Sequence, residues 1–515
     1  MCGIFGAIGL KEKISSPDFD LMLRTLAPRG PDGCGDVRCD ENCRLGHMRL
    51  AIMDTSAAGN QPLKNEAGDI WCVVNGEIYN YPQLRKELEG LGHRFSSGSD
   101  SETVLHAYEQ WGEKSVERFR GIFAFVLYDS RKKKLFGARD SIGAKPLYYW
   151  KDGQTLWFAS ELKALVRHSR FAKKIDREAM YDYLAYRYVP FDKTIYKSAK
   201  KIPAAHAFVF ERGRMRSWRY WRPKIQKQSP SADAISEIVR ESVKAQLMSD
   251  VPVGVLLSGG IDSSTVAALT ALEGHRLKAF TCGFEEEGFD ERPYARIAAK
   301  EIGLELHECV MTCERLLEGL PAYIDWFDEP FFDYSAVAIH DLCRLARQKG
   351  VKVLLAGDGA DELFAGYRWY DDYASADAKT YWAKVKAEMM YFEGTRRRGL
   401  GKRLPWVRED WFFRKFDKVE LPFVTRAQYL DFHTFMVDDV LTKVDRASMA
   451  AGIEVRVPLL DQRLLDEAFL LPQADLYAGG ERKALFKKAL AKFLSGDVLT
   501  RRKKGFGFPL ENWRE

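Results

Sequence analysis

The chain is 515 residues long with 46% apolar side chains, enough to fill two or three cores and far from the composition of a disordered segment. Its net charge of +6 is spread over 79 basic and 73 acidic residues, so no basic field argues for a nucleic-acid partner. No run of 18 apolar residues and no basic-then-apolar leader occurs, which argues against a membrane span or export, and nine cysteines without a CxxC pair read as reduced thiols in a cytoplasm.

In chain order, Met1-Cys2 precedes an apolar and glycine alternation from Gly3 to Gly9 that reads as a strand. Removal of Met1 would leave Cys2 first, with an α-amine of pKa about 7.7 to 8.0 able to take the thiol proton directly or through a water. Arg29 to Asp32 is a turn, Gly46 to Ile52 a strand carrying Arg49, Val73 to Asn80 a strand broken by Asn75-Gly76, and Ser97 to Thr103 a capped helix start. Gly121 to Asp129 is a long buried strand, Leu135 to Tyr149 continues a hairpin, and Phe158 to Leu165 is a strand-to-helix step.

Together with Met-Cys-Gly-Ile-Phe-Gly, these blocks resemble the glutaminase domain of the N-terminal-nucleophile amidotransferases over residues 2 to about 200. The resemblance implies an αββα sandwich and makes Cys2 the nucleophile that attacks the glutamine side-chain amide. Asn75 and Gly76 would supply the oxyanion donors. Arg49, with Leu50 and Ile52 beside it, would hold the α-carboxylate of glutamine through its planar fork. Glu77 and Asp100 would hold the α-ammonium. The ligand needs a cation at one end and anions at the other, and both are present.

Pro190, Pro203, Pro223 and Pro230, with a polar stretch from Lys224 to Ser231, place a boundary near residue 225 and suggest domains 2–215 and 226–515. Beyond it, Val253 to Ser264 reads as a buried strand, a Gly259-Gly260 turn and a helix start, where backbone N–H groups and the helix dipole attract a phosphate chain. Asp262 would repel that chain unless a cation stood between them, so Mg2+ is implied. The Walker pattern is absent. Leu277 to Phe284 reads as the next strand, and Val351 to Glu362 repeats strand, glycine turn and acidic helix start. Strands alternating with helices argue a doubly wound parallel sheet for this half, and with the sandwich of the first half the fold class is α/β.

Ser-Gly-Gly-Ile-Asp-Ser resembles the pyrophosphate loop of the ATP pyrophosphatases, and the whole second half resembles the asparagine synthetase family. The resemblance implies ATP at Leu256, Ser258, Gly259, Gly260, Asp262, Ser263, Cys282, Ala356 and Gly357, with Mg2+ on Asp262 and Asp361. The second turn normally reads SGEGADE in that family and reads AGDGADE here, so Asp358, expected to orient the acceptor or a proton, sits on a shorter arm. Asp328-Glu329-Pro330 with Asp333 and Ser335 resembles an acceptor-side segment. The polar residues of Leu441 to Met449 would buttress the site, and residues 370 to 425 read as a helical insertion. Arg501 to Phe506 resembles a basic loop in which Lys503 is the catalytic lysine, with Lys504 the alternative register.

The expected protein is therefore a glutamine-dependent amidotransferase that hydrolyses glutamine, channels ammonia and amidates an adenylated carboxylate with MgATP. Aspartate is the first acceptor and a sugar uronic acid the alternative. Glutamine, ATP and the acceptor are the expected partners, with a homodimer left open.

Overall fold

A computed structural model describes residues 2–9, 16–226, 228–275, 277–374, 421–478, 481–501, 507–509 and 512–514. The period of two in the first strand, Gly3–Gly9, sets its layers. Ile4 and Ile8 face Leu45, Val73, Val126, Phe158 and Phe208, whereas Phe5 and Ala7 face Phe19, Met22, Leu23 and Leu162 on the other side. Gly6 is needed between them, because a Cβ there would stand 2.5 Å from the Phe158 ring.

This strand lies inside a six-stranded antiparallel sheet of order Ala199–Lys201, Tyr148–Asp152, Thr155–Ala159, Gly3–Gly9, Cys43–Arg49 and Gly33–Arg38. A second sheet packs on it, of order Arg214–Arg219, His206–Glu211, Lys134–Arg139, Gly121–Asp129, Ile70–Ile78 and Leu63–Lys64. In that sheet Val73 and Val126 point to the first sheet, while Val74, Phe123 and Phe125 meet Leu84, Leu88, Val104 and Leu105 of the helices Tyr81–Gly90 and Ser101–Trp111. The first half is thus helix, sheet, sheet, helix, with each sheet burying both faces.

In the second half, five strands pair in parallel in the order Glu305–Met311, Lys278–Phe284, Val253–Leu256, Val353–Leu355 and Glu454–Arg456. The chain leaves Val253–Leu256 toward one edge and later returns to Val353–Leu355 on its other side. That reversal opens a crevice beyond the carboxyl ends of these two neighbours, where doubly wound sheets take ligands. Both glycine turns fall there. Leu50, Ile52, Ile122 and Ile142 of the first half share one apolar cluster with Val437, Val444, Val455 and Val457 of the second. The stretch read as a helical insertion lies largely outside the described residues.

Candidate active sites

Cys2 is buried at the head of the first strand. Its backbone nitrogen, a peptide N–H while Met1 is attached and the α-amine once Met1 is removed, donates to Asn75 Oδ1 at 3.0 Å. That contact points the amide so that Asn75 Nδ2, fully buried, has no hydrogen-bond partner among the described residues. An unspent donor beside a thiol suits a negative charge that exists only during reaction. Gly76 follows with φ +131°, and a Cβ there would stand 2.0 Å from the Ile122 carbonyl oxygen, so only glycine fits. Burial raises the pKa of the Cys2 thiol, which therefore rests protonated and needs a base.

Cys2, Arg49, Leu50, Ile52, Gly76, Glu77 and Asp100 line one small cleft, joined by Met53, Gly59, Gln61, Ser99 and Ser101, which sequence reasoning did not single out. The Arg49 guanidinium donates to the Ser56 carbonyl at 2.8 Å, to Asn60 Oδ1 at 2.6 Å and to the Asp54 carbonyl. Asp100 Oδ2 accepts the Ile78 N–H at 2.7 Å. Burial pushes Asp100 up to about 6, with nearby Glu454 adding to the effect, and burial with the Asp100 charge raises Glu77 well above the usual carboxylate range. The two carboxylates together thus carry less than two full negative charges, and a bound cation would restore them.

The second site is a cavity of about 700 Å³ beyond the parallel sheet. Leu256, Ser258, Gly260, Asp262, Ser263, Cys282, Ala356, Gly357, Asp358 and Asp361 all line it. Gly259 stands behind it with φ +72°, its α-carbon so close to Tyr294 that a Cβ would meet that backbone at 2.4 Å. The two turns pack directly on each other, since a Cβ on Gly357 would stand 2.6 Å from the Ser263 nitrogen. Ser258 Oγ and Ser263 Oγ are 3.1 Å apart at the start of the helix Ile261–Leu272, where N–H groups point outward for an anion.

Asp262 and Asp361 converge as expected for two carboxylates sharing a cation, and the cation they meet is Lys483. Its Nζ lies 2.7 Å from both Asp262 oxygens and 2.6 Å from Asp361 Oδ1. Lys483 is buried, has left-handed backbone at φ +57°, and burial lowers its pKa against the pull of Asp262. A buried lysine in costly backbone inside a cavity is a functional signal. Lys503 and Lys504 lie outside the described residues. Arg501, just before them, donates to the Ser258 carbonyl at 2.7 Å. Glu362, also in the lining, is pushed up to about 7 by burial against a hydrogen bond from Tyr367 Oη at 2.7 Å. The sequence motifs single out neither Lys483 nor Glu362 as a site residue; left-handed backbone and convergence in space are invisible in a linear motif.

The acceptor-side reading of residues 328–335 divides. Ser335 lines the cavity, and Asp333 accepts from the lining Lys443 at 2.8 Å. Asp328 instead sits between a cation of each half, 3.1 Å from Arg446 Nη1 and 3.6 Å from Lys163 Nζ, and Glu329 accepts the Ile195 N–H at 2.8 Å. Neither carboxylate lines the cavity: Asp328 is held by these two cations and Glu329 by the Ile195 N–H, with Lys201 Nζ 3.9 Å away. The block 441–449 buttresses both sites: Asp445 takes two bonds from Arg29, at 2.8 and 3.1 Å, while Arg29 Nε donates to the Cys2 carbonyl at 3.0 Å. Both partners are buried. One guanidinium therefore spans from the thiol residue to the helix Thr442–Ala450.

The sequence model of the asparagine synthase family matches residues 234–515, and that of the glutamine amidotransferase domain matches residues 1–221. Asparagine synthetase [glutamine-hydrolyzing] 1 of Bacillus subtilis is 32% identical over 100% of this chain and 88% of its own length. A putative asparagine synthetase [glutamine-hydrolyzing] of Mycobacterium tuberculosis is also 32% identical, with the same coverage. Among solved structures, the glutamine phosphoribosylpyrophosphate amidotransferase of B. subtilis aligns over 60% of this chain and 81% of its own with 16% identity and a TM-score of 0.34, too slight a likeness to carry weight.

Proposed function

The chain belongs to the glutamine-hydrolysing asparagine synthetase family, and from that premise we propose that it makes asparagine from aspartate with glutamine nitrogen and MgATP. Cys2 attacks the glutamine amide after its α-amine takes the thiol proton. Asn75 Nδ2 and the Gly76 N–H receive the oxyanion, Arg49 takes the α-carboxylate, and Glu77 with Asp100 takes the α-ammonium. Ammonia released there would be protonated in water and lose its lone pair. The apolar cluster shared by the two halves supports a dry route between the sites.

In the second site, the Ser258–Ser263 turn cradles the phosphates and Gly357 lets the neighbouring turn close on it. The acceptor carboxylate displaces pyrophosphate to form an adenylate, and ammonia then displaces AMP. Asp262 and Asp361, already gathered round one cation, would hold Mg2+ through oxygen ligands, and the ion would supply neutralisation of phosphate charge. Lys483 puts a second positive charge beside the same turns. Glu362, set near neutrality, takes the proton that attacking ammonia must lose.

The observation that carries this reading is the meeting of Asp262, Asp361 and buried Lys483 at the mouth of two adjacent glycine turns. Aspartate is favoured because the lining mixes signs: Asp358, Glu362 and Glu481 against Lys443, Arg482 and Lys487, which suits a ligand with two carboxylates and an ammonium. A uronic acid offers the carboxylate without the ammonium. Incubation with amide-labelled glutamine, MgATP and either acceptor decides: labelled asparagine with AMP is expected, and AMP formation that ignores aspartate would overturn the proposal.

A further inference from the structure

Away from both sites, on the outer face of the first half, the helix Ser101–Trp111 carries His106 and Glu109 one turn apart, and the loop before it carries His93. One ligand atom from each lies within 4.8 Å of the others. His106 Nδ1 is 3.0 Å from Glu109 Oε2 and 3.9 Å from Glu66 Oε2, and His93 Nδ1 is 3.8 Å from Glu109 Oε2. Ligand atoms on a tetrahedral zinc stand roughly 3.2–3.5 Å apart, given metal–ligand distances of about 2.0–2.2 Å. The observed spacings bracket that edge.

The groups behind these atoms are arranged as a metal site requires. His106, only 1% exposed, turns Nε2 to Glu102 Oε1 at 3.5 Å, and that nitrogen finds no properly aligned hydrogen bond among the described residues. Glu102 is itself fixed by the N–H and hydroxyl groups of Ser96 and Ser97 at 2.6 to 2.8 Å. His93 Nε2 faces Gln110 Oε1 at 3.1 Å, Glu109 Oε1 accepts from Asn65 Nδ2 at 2.7 Å, and Glu66 Oε1 accepts the Arg94 N–H at 3.1 Å. His93, Glu109 and Glu66 thus each have the opposite atom held by a hydrogen bond, and His106 Nε2 faces an anchored carboxylate, the kind of backing that orients metal ligands.

We propose that His93, His106, Glu109 and Glu66 form a structural site for a zinc-like divalent cation. Two neutral imidazoles and two carboxylates cancel the charge of such an ion, and mixed nitrogen and oxygen donors suit zinc better than magnesium. The ion would clip the loop before Ser97 to the helix Ser101–Trp111, whose first residue follows Asp100 in the Cys2 cleft. The rival state has no ion and a protonated His106: burial opposes the charge, but Glu102 and Glu109 outweigh it and push the pKa up to about 9.

The test uses the full chain stripped with a chelator and titrated with Zn2+ alone against a chromophoric zinc indicator, with Co2+ spectra as a second readout. One tight equivalent is expected that raises Tm and gives a tetrahedral Co2+ absorption. His93→Ala, at a partly exposed position, and Glu66→Gln, at a half-exposed one, avoid emptying the core, and each should weaken that equivalent by about 100-fold or more. Comparison with these variants separates this ion from any zinc held by the nine free thiols. A parent that binds no zinc, or variants that bind it as tightly as the parent, would overturn the site and leave a metal-free imidazolium cluster.

Discussion

Replacing Lys483 by methionine removes the ammonium between Asp262 and Asp361 and leaves two carboxylates facing one another. Loss of one preorganised charge donor typically lowers turnover by about 100- to 1,000-fold. Acceptor-dependent AMP formation should fall by that order while glutamate release from glutamine persists, because Cys2 lies in the other half. At the first site, burial raises the Asp100 pKa to about 6. Below that value it is neutral and loses its attraction for the glutamine ammonium, so the KM for glutamine should rise by up to about tenfold per unit as pH falls below 6. Asp100→Asn should remove the step near pH 6 and leave only what Glu77 contributes, measured as glutaminase KM against pH. Residues of the Cys2 cleft were legible because they sit in short motifs whose turns and strands force them together. Lys483 was not: it lies 221 residues from Asp262, and nothing local marks a lysine that long-range packing will bury.

At the level of elements, the informative pieces were strands that end in glycine. Val253–Leu256 and Val353–Leu355 could be read from short apolar runs, and their shared edge follows from the strand order. What could not be read is how closely their turns pack. Gly357→Ala would put a methyl 2.6 Å from the Ser263 nitrogen and 2.8 Å from the Asp262 carbonyl carbon, where only backbone can yield. Overpacking of this kind costs about 1–3 kcal/mol. Urea denaturation should show that loss, and the KM for ATP should rise while glutaminase kinetics hold. The segment 328–335 shows the converse limit. Its acidic residues look alike in sequence, yet Asp328 is held between Arg446 and Lys163 and Glu329 by the Ile195 N–H, while Ser335 reaches the cavity.

Across the whole molecule, the contact between halves is charged as well as apolar. Asp445 is buried with Arg29 on one side and Lys145 Nζ 3.6 Å away on the other, and Arg29 also holds Glu161 at 3.0 Å. Such a network is costly to desolvate and costlier to break, since removing one partner strands the rest: about 3 to 5 kcal/mol for a buried pair. Asp445→Asn keeps the shape and removes the charge, so urea unfolding should show a loss of that order. The more specific consequence concerns coupling. Arg29 ties the Cys2 carbonyl to the helix Thr442–Ala450, whose Lys443 lines the nucleotide cavity, so a glutaminase site that senses the other cavity has this guanidinium as a direct physical link. With Asp445 neutral the link slackens, and glutamine should be hydrolysed even when no acceptor is activated. The measurement is the ratio of glutamate to amide product across acceptor concentrations: near equality in the parent at saturating acceptor, and an excess of glutamate in Asp445→Asn. An unaltered ratio in a folded variant would mean that the apolar packing alone carries the coupling.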